Sequence, residues 1–371
     1  MLFGLVAISR VGVATDIQSN TAIRVLLDRA IPKGKVHSLL LSSYYRGNPS
    51  RGWIRSGKEL DISLGYSPAF PIQVNSQPVN ESFVFVRGGQ SPSDKLRLQD
   101  GVFRGALKWT RKENSFSVVN YLGVEDYLLG TLGEEMSPSW EIEALKAQAV
   151  ASRTYALYMI NNPKHEDYDV ERTTQDQVYG GVDAEDPRVQ SAVRATQGEV
   201  LTFNQSPIKA FFHSRCGGST ETPRFVWNHG GVFPQQKVSC PYCIRFPFAW
   251  QTIVKAEELL RWTGLSLKTP FRIESGDRGS SGRLASLKLV SGNQRAVLGT
   301  DLLRSHVGYT KLKSTKFNWR QEGDEVSFHG VGNGHGVGMC QWGARYLAQQ
   351  GKTYKEILAH YYPGALIQVL K

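Results

Sequence analysis

The chain has 371 residues, enough for two or three domains, and 21% of them are charged and 40% hydrophobic, which is the composition of a globular protein and excludes a disordered tail. A formal net charge of +11 favours an anionic partner such as nucleic acid, a membrane surface or an acidic cell-wall polymer. No apolar run is long enough to predict a transmembrane helix, and four cysteines exclude a disulfide-dense miniprotein.

The first 16 residues resemble the remnant of a signal peptide. Leu2–Ile8 is a short apolar run, and Gly12-Val13-Ala14 brings small residues to where a signal peptidase would cut. However, no basic residue precedes the run, and Arg10 interrupts it. The alternative is a first β-strand with a frayed end. We expect an exported protein.

Residues 17–104 predict a β-rich N-terminal module. The segments Ala22–Leu27, Glu59–Leu64 and Ser82–Val86 are alternating or β-branched, and Gly, Pro, Asn and Ser residues separate them. The loop Gly88–Ser93 marks the edge of this module.

A long Ala-rich helix is the main feature of the next part of the chain. Val118–Leu129 changes from a strand pattern to a helical one, and apolar residues then recur at helical spacing over Trp140–Ile160. Glu141 and Glu143 stand in the first turn, where the helix dipole favours acidic side chains.

The C-terminal part mixes helices and strands. Residues 250–325 predict a helix at Ala256–Thr263 and strands such as Arg283–Val290. The tail predicts one Gly-rich segment and two further helices: Gly330–Gly338, Gln341–Gln350 and Tyr354–His360. The predicted fold class is therefore α+β, with the β-rich module followed by a mixed domain over residues 105–371.

Two adjacent glutamates, Glu134 and Glu135, are the first candidates for chemistry. Met136 and Pro138 follow them at a junction between two helical patterns. An apolar setting raises the pKa of a carboxyl group and lets it act as a general acid near neutral pH. The alternative is a pair of solvated surface glutamates.

His213 and Cys216 form one pair of candidate metal ligands, and Cys240 and Cys243 form another. Two residues separate the members of each pair, which lets both side chains reach one ion, and two such pairs complete a tetrahedron. We therefore predict a structural zinc site. The alternative is a Cys240–Cys243 or Cys216–Cys240 disulfide beside an uninvolved histidine.

The Gly-rich segment Gly330–Gly338 precedes a helix, but its spacing fits neither the dinucleotide-binding nor the P-loop pattern. One interpretation is a tightly packed turn. The other is that His335 and Gln341 line a cleft and hydrogen-bond a sugar.

Taken together, these motifs resemble the stage II sporulation protein D / LytB family over residues 104 to 371. The residues that carry the resemblance are Tyr127, Glu134-Glu135-Met136, Glu143–Ala156, Thr174–Gly181, Gly217–Glu221, Val226-Trp227, Gly334–Ala344 and His360–Gly364. Three features depart from the family pattern. The usual Glu-Met-Pro is interrupted by Ser137, Cys340 replaces a frequent serine, and His213 and Cys216 stand in a usually Ser-rich segment.

The resemblance implies a function in peptidoglycan remodelling. The family includes lytic transglycosylases that cleave the MurNAc–GlcNAc bond, with 1,6-anhydroMurNAc formation, on glycan whose stem peptides an amidase has removed. Other members are non-catalytic enhancers of an N-acetylmuramoyl-L-alanine amidase. The family's catalytic glutamate corresponds to Glu135. Implied partners are glycan strands and a cell-wall amidase, the implied location is the cell envelope or periplasm, and no organic cofactor is expected.

One glutamic acid suffices for a transglycosylase because the C6 hydroxyl of MurNAc is an intramolecular nucleophile. The resemblance makes Gln177, Tyr179, His335 and Gln341 candidates for binding the distorted sugar. Lys146 and Arg153 are seven residues apart on the long helix and so share a face; they predict either substrate contact or a helix–loop salt bridge.

A nucleic-acid binder is the third class that we consider. The positive charge and the zinc-like spacing favour it, but the basic residues are scattered and no C2H2, RRM or OB signature is present. We therefore expect no nucleic-acid partner.

Overall fold

The computed structural model describes residues 22–38, 42–46, 54–55, 58–88, 94–227, 233–264 and 270–370. The predicted signal remnant at residues 1–16 and most of the predicted loop, residues 89–93, lie outside the described residues. Helices and strands are both abundant, which confirms the α+β class. Among the described helices, none has the length and apolar character needed to span a membrane.

The chain forms two compact units, each built from two separate segments. The first unit contains Met1–Ser139 and Tyr155–Gln197, and the second contains Trp140–Thr154 and Gly198–Lys371. The predicted modules 17–104 and 105–371 divide the sequence differently and stay a prediction. Strands from both sides of that predicted boundary pair in one sheet of the first unit.

The first unit is rich in strands. Its described strands are β1 (Ala22–Ile31), β2 (Lys33–Ser38), β3 (Ser42–Arg46), β4 (Ile54–Arg55), β5 (Glu59–Ser67), β6 (Phe70–Val74), β7 (Gln77–Val79), β8 (Phe83–Gly88), β9 (Lys95–Leu98), β10 (Gly101–Arg104), β11 (Ala106–Arg111), β12 (Phe116–Gly123) and β13 (Val170–Glu171). Its helices are α1 (Val124–Leu129), α2 (Leu132–Glu135), the end of α3 (Ile142–Asn161), a 3-10 helix (Gly181–Ala184) and α4 (Pro187–Ala195).

These strands form two sheets. One sheet has the order β13-β1-β12-β11-β8-β3-β4 and the other the order β10-β9-β2-β5-β6-β7. Pairing is antiparallel except between β1 and β13. Alternating burial along β9 shows the period of two that exposes one face of a strand and buries the other. The three strands predicted from the sequence correspond to β1, β5 and β8.

Helix α3 is buried on almost every side. The sequence predicts it over Trp140–Ile160, and it runs over Ile142–Asn161. Its alanines Ala144, Ala147 and Ala151 are fully buried. A helix that is hydrophobic all round belongs inside a protein, and small side chains let neighbouring elements approach its backbone closely. The helix begins in the second unit and ends in the first.

The second unit combines short sheets with six further helices among its described residues. Its strands are β14 (Glu199–Phe203), β15 (Ser206–Pro207), β16 (Phe212–His213), β17 (Ala249–Lys255), β18 (Arg272–Ser275), β19 (Ser286–Ser291), β20 (Gln294–Gly299), β21 (Phe317–Glu322), β22 (Glu325–Val331), β23 (Met339–Cys340) and β24 (Leu366–Val369). Its helices are α5 (Pro223–Trp227), α6 (Pro241–Arg245), α7 (Ala256–Trp262), α8 (Thr300–Val307), α9 (Gln341–Gln349) and α10 (Tyr354–Tyr361).

Two hydrophobic cores lie within this second unit. One packs the first half of α3 and β14 against α9 and α10, and it contains all four cysteines. The other is built from residues 250–328, with Leu287, Phe317 and Phe328 at its centre. The strand orders β17-β22-β21 and β18-β19-β20 belong to this second core. The helices predicted at Ala256–Thr263, Gln341–Gln350 and Tyr354–His360 correspond to α7, α9 and α10.

The Gly-rich segment before α9 is a tightly packed turn. Its alternate glycines Gly332, Gly334, Gly336 and Gly338 have φ angles between +73° and +100°, a region that side chains disfavour. A Cβ atom on Gly336 would overlap the guanidinium of Arg283, and one on Gly338 would overlap the carbonyl oxygen of Phe211. The packed-turn interpretation of the sequence therefore describes this segment.

We predict that Gly338→Ala destabilises the protein more than Gly351→Ala does. Gly351 has a similar φ of +80°, but no described atom lies within 4 Å of the position that its new methyl group would take, so this control isolates the backbone strain of about 1–2 kcal/mol. The overlap with Phe211 adds about 1–3 kcal/mol at Gly338. Urea unfolding measures both values, and equal losses would contradict the packed-turn interpretation.

Candidate active site and cysteine cluster

Glu135 lies at the end of the short helix α2, in the first unit. Its side chain is half-buried, whereas that of Glu134 is exposed. The backbone N–H of Val178 donates to Glu135 Oε1 over 2.8 Å. The buried Met136 ends the helix, because its backbone N–H closes the last turn on Leu132 and its own backbone is extended. The carboxyl group is therefore held in place by a loop that is distant in sequence.

The loop that holds Glu135 alternates between buried and partly buried residues. Gln177 and Tyr179 are 1% and 3% exposed, and Val178 between them is only partly buried. This period of two turns both polar side chains into the unit and leaves the N–H of Val178 for Glu135. Gln177 and Tyr179 thus anchor the backbone that holds Glu135, and their role in substrate binding stays a prediction.

Hydrogen bonds fix both buried side chains. The hydroxyl of Tyr127 donates to Gln177 Oε1 over 2.9 Å, and the hydroxyl of Tyr179 donates to Asn120 Oδ1 over 2.9 Å. The rings of Tyr127 and Tyr179 stack with centroids 5.3 Å apart. Burial raises the pKa of Tyr127 and of Tyr179 far above the ordinary value, so both hydroxyls remain donors at any physiological pH.

Asp176 is a second carboxylate in this loop, and its oxygens have partners within the unit. Tyr155 donates its hydroxyl to Oδ1 over 2.7 Å, and Lys164 pairs with the same oxygen at 2.6 Å. The backbone N–H of Glu171 donates to Oδ2 over 2.9 Å. The side chain is fully buried. Asp176 therefore stabilises the loop and is not presented to a ligand.

The other four predicted substrate-binding residues belong to the second unit. Lys146 Nζ pairs with Glu143 at 2.7 Å on α3. Arg153 is 1% exposed and donates to the backbone oxygen of Glu199 over 3.1 Å. Structural partners thus occupy both side chains, and their role in substrate binding stays a prediction.

His335 and Gln341 also have partners within the fold. The backbone N–H of Val337 donates to His335 Nδ1 over 3.0 Å, so the ring proton is on Nε2, which donates to the oxygen of Phe212 over 2.9 Å. Burial lowers the pKa of His335 well below its usual value. Gln341 is 6% exposed and donates to Gln148. A sugar-binding role for either residue stays a prediction.

Four buried sulfur atoms meet in the second unit. Cys216, Cys240, Cys243 and Cys340 are free thiols that lie within 4.8 Å of one another. They are at most 2% exposed. We call this group the cysteine cluster. It joins the segment after β16, helix α6 and the start of α9, which are far apart in sequence.

The cysteine cluster changes the predicted ligand set at one position. Three of the four predicted residues take part, but His213 lies outside the cluster and Cys340 takes its place. His213 is buried, and its Nδ1 lies 3.0 Å from the oxygen of Val337. Spacing along the chain did not identify Cys340, because it is 97 residues after Cys243. The sequence did offer one indication of Cys340 as a ligand, because this position is a cysteine where the family often has serine.

The geometry of the cluster fits a metal ion. The sulfur atoms of Cys243 and Cys340 are 3.6 Å apart, close to the about 3.8 Å edge of a tetrahedron with metal–sulfur bonds of about 2.3 Å. Four thiolates are a soft donor set of the kind that structural zinc sites use. The four sulfur atoms can therefore hold a metal.

Two basic side chains lie beside the cluster. Arg283 is fully buried and donates to the backbone oxygens of Gly334 and Cys216, each over 3.1 Å. Burial lowers the pKa of Arg283 to about 10, so it stays charged at neutral pH. Lys316 Nζ donates to the oxygen of Gly217 over 2.8 Å. If the cysteines bind a metal as thiolates, these two basic side chains would be their positive neighbours.

Comparison with known proteins gives matches over most of the chain. Residues 112–203 match the family described as Stage II sporulation protein, and residues 247–338 match a domain of unknown function, DUF8618. An uncharacterized protein of Brachyspira hyodysenteriae is 35% identical over 77% of this chain and 78% of its own length. Stage II sporulation protein D of Bacillus subtilis is 30% identical over 67% of this chain and 75% of its own length. The amidase enhancer of Bacillus subtilis is 30% identical over 65% of this chain and 40% of its own length.

Proposed function

The chain belongs to the stage II sporulation protein D family, and from this we propose that it acts in the bacterial cell wall as an exported lytic transglycosylase. The reaction would cleave the MurNAc–GlcNAc bond of peptidoglycan and leave 1,6-anhydroMurNAc ends, on glycan from which an amidase has removed the stem peptides. The single observation that supports it most is the half-buried carboxyl of Glu135, held by the N–H of Val178. Glu135 directly precedes Met136, as the family's catalytic glutamate does.

The proposed reaction needs one carboxyl group. Protonated Glu135 gives its proton to the glycosidic oxygen, and the bond between that oxygen and C1 of MurNAc breaks. The C6 hydroxyl of the same sugar attacks C1 and closes the 1,6-anhydro ring. The Glu135 carboxylate takes the proton of that hydroxyl, so the group returns to its starting state. No water is consumed, and the intramolecular nucleophile has a high effective concentration.

The hydrogen bonds that Asp176 accepts within the loop support a mechanism with one carboxylate. A hydrolytic glycosidase needs a second carboxylate as nucleophile or as base for water. Asp176 is the buried carboxylate of the loop beside Glu135, and its oxygens accept hydrogen bonds from Tyr155 and Glu171. A side chain held in this way cannot reach a sugar without breaking the loop.

Gln177 and Tyr179 act in this proposal as positioning residues. Their side chains bond to Tyr127 and Asn120 inside the unit, and they thereby fix the N–H of Val178 against Glu135. A small displacement of a catalytic group costs a large factor in rate. Burial of these two family-motif residues is explained by this indirect role.

We predict that Glu135→Gln abolishes the formation of anhydro ends and leaves the fold intact. Glutamine keeps the size of the side chain but can neither donate nor recapture the acidic proton, and loss of a general acid costs about 100- to 10,000-fold in rate. Mass spectrometry of digested glycan strands measures the anhydro ends. Glu134→Gln is the matched control, since Glu134 is exposed. If Glu134→Gln lost activity while Glu135→Gln kept it, Glu134 would be the general acid.

Stimulation of an amidase is the second candidate function, because one relative is named an amidase enhancer. That role needs binding to the wall but no acid. If the protein raises the activity of a cell-wall amidase and Glu135→Gln raises it equally while no anhydro ends form in either case, the enhancer role replaces the transglycosylase.

We further propose that the cysteine cluster binds one structural zinc ion. Thiolates of all four cysteines would hold it, and closed tetrahedral coordination leaves no position for a substrate. The metal would contribute stability by joining three separate segments of the second unit. The catalytic steps above do not involve it.

Purified protein is expected to contain one zinc per chain, and Cys340→Ser is expected to lose it together with about 3 kcal/mol or more of unfolding free energy. His213→Gln is the control, since His213 is equally buried but lies outside the cluster. Elemental analysis and urea unfolding measure the two effects. Retained zinc in Cys340→Ser with lost zinc in His213→Gln would restore the ligand set predicted from spacing.

A further inference from the structure

A row of aromatic rings lies on the second unit, and several of these rings stand on the segments that carry the cysteine cluster. Tyr242 stacks on Trp342 with ring centroids 5.6 Å apart, and Trp342 meets Trp140 edge to face at 5.0 Å. Phe246, which is 47% exposed, packs against Tyr242 at 5.3 Å. Arg215 lies over Trp342 and over one further ring, that of Phe248. We use the name aromatic platform for the whole group, which consists of Trp140, Arg215, Tyr242, Phe246, Phe248 and Trp342.

Arg215 lies against two rings of the platform. Its guanidinium carbon is 3.9 Å from the ring centroid of Trp342 and 4.5 Å from that of Phe248. Its backbone forms a two-way bridge with Asn333, with N···O distances of 2.9 and 2.8 Å. The backbone and the charged end are thus both fixed, so little conformational entropy would be lost when a ligand binds.

The charge of Arg215 is not neutralised by the part of the chain that the structure describes. Arg345 also stacks on Trp342, but its Nε lies 3.4 Å from Glu141. For the guanidinium of Arg215, the described residues provide ring contacts and no hydrogen bond or ion pair. Lys313 Nζ lies 4.8 Å from the centroid of Phe248 and adds a second positive charge.

A planar cation fixed on an aromatic surface has a definite ligand chemistry. Pyranose rings pack their C–H faces on aromatic side chains, and a guanidinium binds a carboxylate through two parallel hydrogen bonds. The combination is therefore complementary to a sugar chain that carries carboxylates. In peptidoglycan glycan, a carboxylate appears on each muramic acid once an amidase has removed the peptide from its lactyl group.

We propose that the aromatic platform binds a peptidoglycan glycan strand and that Arg215 pairs with the free lactyl carboxylate of a muramic acid. This inference rests on the proposed function for the identity of the glycan, and it names the residue that distinguishes stripped from peptide-bearing strands. In a peptide-bearing strand the lactyl group ends in an amide to the stem peptide, so this group offers no negative charge to Arg215.

The cysteine cluster holds the platform in shape. Arg215 directly precedes Cys216, Tyr242 directly precedes Cys243, and Trp342 follows Cys340 by two positions. Three cysteines of the cluster thus position three members of the platform. The glycan would meet a surface that is already arranged.

The test measures binding in the Glu135→Gln background, so that no strand is cut. The ligands are amidase-treated glycan strands, the same strands with their carboxyls converted to methylamides, and a single-stranded oligonucleotide. Arg215→Gln is expected to weaken binding to the carboxylate strands about tenfold, the effect of one charge-assisted contact, and to leave binding to the methylamide strands unchanged. Arg215→Lys, which keeps the charge without the planar fork, is expected to recover part of the loss.

Arg295→Gln is the matched control, since it removes one exposed positive charge from β20 of the same unit and is expected to change neither affinity. Equal losses on both kinds of strand, or tighter Arg215-dependent binding of the oligonucleotide than of glycan, would overturn the proposal. Binding and cleavage fail independently here. Arg215-dependent binding without anhydro ends from the unsubstituted protein refutes only the transglycosylase, and anhydro ends without Arg215-dependent binding refute only this inference.

Discussion

Four buried sulfur atoms converge in one of the two hydrophobic cores of the second unit. Cys216, Cys240, Cys243 and Cys340 come from three segments that also meet through strand pairing and a shared hydrophobic core. Buried thiols without a metal would leave a small, weakly polar centre in the core, whereas thiolates around a metal would supply a strong and directional link. Three members of the aromatic platform, Arg215, Tyr242 and Trp342, stand within two residues of these cysteines. If the cluster binds a metal and the platform binds glycan, as we propose, one arrangement of cysteines serves both the core and the ligand.

The first unit reaches its candidate site by a different route. The N–H of Val178 donates to Glu135, and buried polar side chains on both sides of Val178 hold that N–H in place. Hydrogen-bonded side chains in a dry interior are expensive to rearrange. The hydrogen bonds of Tyr127, Asn120 and Asp176 therefore hold the loop in place. The loop in turn positions Glu135.

Sequence reasoning predicted the elements well where the pattern was long or local. The helix α3 and the strands β1, β5 and β8 follow from the spacing of apolar and β-branched residues along the sequence. Cys340 could not be found in this way, since its partners are set by folding over about a hundred residues. Motif membership likewise identified Tyr179 and His335 without indicating that their polar groups point into the fold. Resemblance marks which residues matter and leaves open whether they contact a ligand or support another residue.

The division of α3 between the two units has a consequence for how such a protein can evolve. Each unit is assembled from two stretches of chain, and one unbroken helix supplies a stretch to both. No single cut in the gene separates the two units. Neither unit can therefore be deleted, duplicated or fused to another protein as one continuous segment. The glutamate and the cysteine cluster are therefore encoded on interleaved stretches of one gene.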